Sequence, residues 1–345
     1  MGLVLFATVA LLRLDRFLGG FSSGGLADRV AVWSVVVGSI VCLAVLSRLF
    51  TRQAGDAPQS RSPLAMAGRR FRENRLAVAA AYTVAGLYLL ALLAPLVAPH
   101  DPTVIENALR DRYLSPSLAH PFGTDEFGRD LFSRALYGAQ VSLSVGLLAV
   151  AIAITIGTVY GAIAAYVGGW VDNVLMRIVD VIIAFPTFFL MLLLVGVFEA
   201  NIVVLVLILG LTSWTGTARF IRGEILSLKE RDFVEGARAI GLPGHVILVR
   251  HLIPSAMAPV MVSAALMVGG MVGAEAGLSF LGIGIQPPTP SWGNMLSAGQ
   301  DALLVAWWVA FFPGCLLALV ILCFNLIADG LRDALDPKTL MRKYI

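Results

Sequence analysis

Six long apolar runs recur along the last three quarters of this chain, at about 76–98, 141–167, 174–197, 202–214, 256–280 and 302–327. A helix needs about 20 such residues to cross a bilayer. Inside lipid, a segment must also satisfy its own backbone hydrogen bonds, which leaves helices or closed barrels. The runs are continuous rather than alternating, so the expectation is an all-α, polytopic membrane bundle with a six-helix core. Composition agrees: 58% of the 345 residues are hydrophobic and 14% are charged, where soluble domains carry about 25% charged residues. A further apolar run at 30–47 fits an additional N-terminal span followed by a polar linker at 48–75, with a start site further downstream as the alternative.

Basic residues orient the spans. Arg69, Arg70, Arg72 and Arg75 precede the first run. Arg219, Arg222, Lys229, Arg231, Arg238 and Arg250 lie between the fourth and fifth, and Arg332, Lys338, Arg342 and Lys343 follow the sixth. The stretch 282–301 has neither Lys nor Arg. Both core termini and the loop between runs four and five are therefore expected in the cytoplasm.

Other classes lose support by absence. A net charge of +3 argues against nucleic acid. With Lys229, Lys338 and Lys343 as the only lysines, there is no phosphate-binding GxxxxGK[ST] loop. Cys42, Cys315 and Cys323 fall in apolar runs, and His100, His120, His245 and His251 form no metal-binding motif, so no metal site is expected. No nucleophile–base pair supports a membrane-bound enzyme.

The loop between runs four and five is a polar island. In it Phe233, Ala237 and Ile240 share one helical stripe, and Gly241 followed by Pro243 reads as a left-handed cap and a stop. The stripe lacks the large apolar face of a lipid-lying helix, so a protein-docking helix fits better. Inside the bilayer, Glu275 is read either on a water-filled path, or as hydrogen-bonded to a neighbouring subunit or solvated near the outer surface, because an isolated charge there is costly. Asp180 is expected to pair with Arg177 one turn away. Gly157 with Gly161, and Gly269 with Gly273 and Gly277, form small-residue faces suited to close helix packing. Pro186 and Pro313 permit kinks. The segment with Asp125, Arg129 and Asp130 is read as a salt-bridged turn, and Trp292 as an interface anchor.

A family resemblance enters here. Glu235-Gly236-Ala237, three residues, Gly241, then twelve residues to Pro254 resembles the "EAA" loop of ABC-importer permeases. Gly236 stands where the second Ala is usual, and Ile253 where Leu usually precedes the proline. The run Gly123-Thr124-Asp125-Glu126-Phe127-Gly128-Arg129-Asp130 is similar to the GTDxxGRD segment of dipeptide and oligopeptide permeases. Gly277 to Gly282, with the proline-rich stretch to Gly293, and Asp329 to Pro337 resemble two further segments of that group. The likeness covers about 68–340 and is to the second of two different permease subunits.

That resemblance implies a coupling helix, at about 231–241, seated in a groove of a cytoplasmic ATPase. Arg231, Phe233, Glu235, Ala237, Arg238 and Gly241 are the expected ATPase-coupling residues. It implies a homologous second permease subunit, two ATPase subunits or domains that use ATP and Mg, and an extracytoplasmic solute-binding protein, which Asp125, Arg129 and Asp130 would contact if they are not simply a structural turn. The chain itself would bind no cofactor and do no covalent chemistry. The expected division is an extension at 1–67, a first span with an outer segment at 68–136, and a transmembrane domain at 137–345 with its coupling loop near 219–255. The cargo implied is peptides. Nickel or glutathione-like solutes are the alternative, and an ATP-independent secondary transporter is a reading from a different class.

Overall fold

The computed structural model describes residues 63–105, 108–198 and 201–335; the N-terminal run at 30–47 lies outside them. In chain order the helices are α1 (Pro63–Glu73), α2 (Arg75–Leu92), α3 (Ala94–Val97), α4 (Leu131–Val167), α5 (Gly169–Ile183), α6 (Thr187–Val197), α7 (Ile202–Lys229), α8 (Asp232–Ala239), α9 (Gly244–Val246), α10 (Ile253–Phe280), α11 (Trp292–Ala302) and α12 (Trp308–Leu335). A six-residue π-helical stretch, Ile247–Leu252, joins α9 to α10. Among the described residues there is no strand, only an isolated bridge between Thr124 and Asp130. Five helical stretches are long and apolar enough to cross a membrane, and the bent pair α5–α6 makes a sixth if it counts as one span.

Several of the long helices begin where a side chain takes up an orphan amide. Asn74 accepts from the Ala77 amide ahead of α2, Asp130 from Ser133 ahead of α4, and Asn201 from Val204 ahead of α7. Asp130 explains why α4 starts ten residues before the apolar run at 141. At about 1.5 Å per residue, its 37 residues reach about 55 Å, well beyond a hydrocarbon core of about 30 Å. The polar first turns with Arg134 and Gln140 belong to helix but not to oil. α7 likewise continues fifteen residues past the run that ended at 214.

The central pair is α4 with α7, running parallel. A Cβ placed on Gly157 would stand 2.7 Å from the Trp214 carbonyl, and one on Gly161 would meet the Ala218 carbonyl. The expected small-residue face is therefore where these two backbones touch. The second face behaves differently: Gly269, Gly273 and Gly277 have only ordinary van der Waals neighbours in α12 and α6. α10 runs antiparallel to α4, and α2 packs against α4 and α12. Near Pro186 the chain bends by 78° between α5 and α6, as a missing amide donor allows.

Two ends of the bundle can be told apart. At one end, Phe71, Ala77 and Ala334 pack together, and the ends of α4 and α7 meet α8. At the opposite end the start of α4 meets α11 and the start of α12. Trp292 is fully buried here, with its indole N–H donated to the Ala135 carbonyl at 3.1 Å. The expectation of an interface anchor is thus corrected: α11 re-enters between α4, α10 and α12, and brings the tryptophan inside.

Candidate functional site

α8 is an eight-residue helix packed on the ends of the spans. It is stopped by a Schellman cap: Gly241 has φ +79°, its amide bonds the Arg238 carbonyl at 2.9 Å, and the Leu242 amide bonds the Ala237 carbonyl at 3.1 Å. Only glycine adopts that backbone readily. Val234 and Ala237 point inward onto Ile221 and Ile225 of α7 and onto Ile247 and Leu252. The opposite face carries Arg231, Glu235 and Arg238, together with Phe233 at 45% and Ile240 at 77% exposure. The stripe drawn through Phe233, Ala237 and Ile240 is therefore split. Val234, three residues before Ala237, shares its inward face, and the two largest apolar side chains are left outside.

Charges tie this seat to the spans. Lys229 donates to the Ala165 and Tyr166 carbonyls at 2.9 and 3.1 Å, capping the last turn of α4. Arg222 in α7 grips Asp172 in α5 through two bonds of 2.6 Å. Asp180 pairs with Arg219 of α7 at 2.5 Å, not with Arg177. A bond to a neighbouring helix replaces the expected one along the same helix, because the α5 face that bears Asp180 looks onto α7.

Beyond the seat lies a cleft of about 660 Å³ between α4, α5, α6, α7 and α10. Thr187, Met191, Ser213, Thr217, Ser263 and Met267 are among its lining residues, none of which is charged. Hydroxyls and thioethers offer many weak partners and no fixed charge. A surface of that kind can let polar solutes pass without holding one tightly.

Glu275 is not on this cleft. It is 0% exposed, and its carboxylate accepts hydrogen bonds of 2.8 Å from Ser142 in α4 and from Ser279 in α10. Ser142 also accepts from the Trp292 amide, and Ser279 from the Ile285 amide. In this conformation the carboxylate is a buried junction joining α4, α10 and α11; its bonds come from its own chain, where a neighbouring subunit or outer-surface water was the expected alternative to the path.

At the same end, the turn with Asp125, Arg129 and Asp130 is buried. Asp125 accepts from the Phe127 and Arg129 amides at 2.9 and 3.0 Å and from the Arg129 side chain at 2.7 Å. Asp130 takes the Ser133 amide at 2.8 Å. Arg134, also buried, donates to the Pro102 carbonyl at 2.9 Å. These side chains are occupied in holding the segment together rather than presented at its surface.

Comparison with known proteins decides what such a bundle is. The family of binding-protein-dependent transport system inner membrane components matches residues 153–341, and the N-terminal TM domain of oligopeptide transport permease C matches 62–116. The chain belongs to this permease family. A dipeptide transport system permease of Bacillus subtilis is 39% identical over 273 residues, 79% of this chain and 85% of that protein. An oligopeptide transport system permease of Haemophilus influenzae is 42% identical over 274 residues, 79% of this chain and 88% of that protein. A glutathione transport system permease of Escherichia coli is 43% identical over 282 residues, 81% of this chain and 92% of that protein.

Of the residues expected for ATPase coupling, the permease displays Arg231, Phe233, Glu235, Arg238 and Gly241 on its surface. Ala237 it does not: at 7% exposure it is part of the seat. The hydroxyl side of the cleft was missed in the sequence, although a signal existed. Thr212, Ser213, Thr215 and Thr217 crowd into an otherwise apolar run, where lipid alone would ask for none.

Proposed function

We propose that this permease is one of two homologous but distinct permease subunits in an ATP-driven importer of di- and oligopeptides. Peptides, delivered by an extracytoplasmic binding protein, would pass along the uncharged cleft. Two cytoplasmic ATPases would use ATP and Mg to drive the motion. The observation that carries this reading is the two-faced α8. Its inner face is locked by Val234 and Ala237 onto the ends of the spans that form the cleft, and its outer face leaves Phe233, Glu235, Arg238 and Ile240 uncovered among the described residues. Gly236 strengthens it, because a Cβ there would meet nothing within 4 Å. Its smallness serves no packing among the described residues and suits close approach by a partner.

The peptide cargo rests on the relatives, all named for peptides or for glutathione, itself a tripeptide. An uncharged lining agrees with leaving much of the selection to the binding protein. The arginines and lysines of the loop and of both core termini support a cytoplasmic position for them, with 68–136 read as the first span and outer segment and 137–345 as the transmembrane domain.

Reconstitution with the companion permease, ATPases and binding protein tests the reading. Labelled di- and tripeptides should enter vesicles only when ATP and the binding protein are both present. Uptake driven by an ion gradient without ATP would defeat it. A cysteine at Ile240, with the native cysteines replaced, should react with an impermeant maleimide only from the cytoplasmic side.

A further inference from the structure

At the end of the bundle away from α8, three chain positions that sequence spacing keeps apart converge on one point. His100 follows α3, His120 lies in the long connection, and Asp130 caps α4. One nitrogen from each imidazole and one oxygen of Asp130 all lie within 4.8 Å of one another. The rings are stacked, with centroids 4.8 Å apart. His120 Nδ1 is 3.0 Å from Asp130 Oδ1, and His100 Nδ1 is 3.9 Å from Asp130 Oδ2.

Hydrogen bonding accounts for only part of this arrangement. It explains His120, which bonds the carboxylate, and it explains Asp130 as the cap of α4. It leaves His100 Nδ1, a buried ring nitrogen, with no hydrogen-bond partner among the described residues. Buried polar atoms are nearly always satisfied, and the exceptions point to an unseen ligand or a special role. The His100 side chain is 39% exposed, so the cluster is open to solvent on one side.

We propose that His100, His120 and Asp130 form a binding site for a divalent transition ion of the zinc class. Two imidazoles and one carboxylate select zinc-like ions over magnesium or calcium, which prefer all-oxygen sets. Three protein ligands leave a fourth position for water or an outside donor. The ion would tie the end of the first span to the start of α4, closing the loop that carries the buried Asp125–Arg129 turn. The spacings of 20 and 10 residues follow no helix or motif period, which is why the sequence expectation of no metal site missed them.

The test uses the full-length permease purified with its companion subunits through a tag free of histidine, stripped with a chelator and desalted. Zinc alone is then added, and bound metal is measured by elemental analysis. About one zinc per chain is expected, together with a rise in melting temperature. In a parallel sample, cobalt should give the visible absorption of a nitrogen-ligated ion. His100→Ala should lower affinity at least tenfold and remove the melting shift. Its fold should be kept, since the contact from residue 100 to Ser133 is made by the main chain. The proposal is overturned by an absence of retained zinc in the wild type, or by equal zinc and equal melting shifts in the wild type and the variant.

Discussion

Ser142 of α4 donates a 2.8 Å hydrogen bond to the carboxylate of Glu275 in α10, across 133 residues of sequence. With Ser279 on the other oxygen, the pair joins two spans and, through the Trp292 amide, the re-entrant α11. Glu275→Ala should remove two bonds and leave a void, costing about 2–4 kcal/mol. Glu275→Gln keeps the shape and should cost about 1 kcal/mol. Thermal unfolding in detergent reads the difference; equal melting curves for the wild type and the alanine variant would refute this junction.

Arg222 and Asp172 form the most regular charge pair between spans, with two bonds of 2.6 Å. Breaking a partly buried bidentate pair strands the remaining charge. Asp172→Ala should lower stability by about 1–3 kcal/mol. The exchanged pair, Asp172→Arg with Arg222→Asp, should recover part of that loss. Additive loss in the exchanged pair would show that the two residues act independently.

Gly161 and Gly236 are both helical glycines but have opposite surroundings. Gly161→Val forces a side chain into the Ala218 carbonyl of α7. It should cost about 1–3 kcal/mol or prevent assembly of the bundle. A Cβ at Gly236 meets nothing within 4 Å among the described residues, so with Gly236→Trp the melting curve should stay put while substrate-stimulated ATPase activity in the reconstituted complex falls. A drop in stability at 236 without loss of stimulation would contradict the exposed face.

The two faces of α8 separate folding from coupling. Val234→Asp places a carboxylate against Ile221 and Ile225 and should cost about 2 kcal/mol or more. Phe233→Asp and Glu235→Lys should leave folding intact and reduce stimulated ATPase activity about tenfold, as losing a docking anchor does. Unchanged stimulation in both outer-face variants would count against docking through α8.

Much was legible in the linear pattern because its causes are local. Continuous apolar runs of span length between 76 and 327, the Gly241 cap and the Pro186 break each depend on residues close together, and each has its counterpart in the structure. Even so, the ends of α4 and α7 were hidden: polar turns that continue a helix beyond the membrane carry no hydropathy signal. The inward face of α8 was misread for a related reason. Periodicity finds a stripe, but which of two overlapping stripes is buried depends on what lies opposite, and Ile221, Ile225, Ile247 and Leu252 come from two other elements.

By itself, the order of residues determined that this chain is a bundle of membrane helices with a capped polar handle between two spans, since hydropathy and backbone caps act over one or two turns. Tertiary structure alone decided that Asp180 answers Arg219, that Glu275 is a buried knot, that Trp292 turns inward, and that His100, His120 and Asp130 meet. Those outcomes follow from which helices become neighbours, and that is chosen by side-chain shape summed over the whole packed interior.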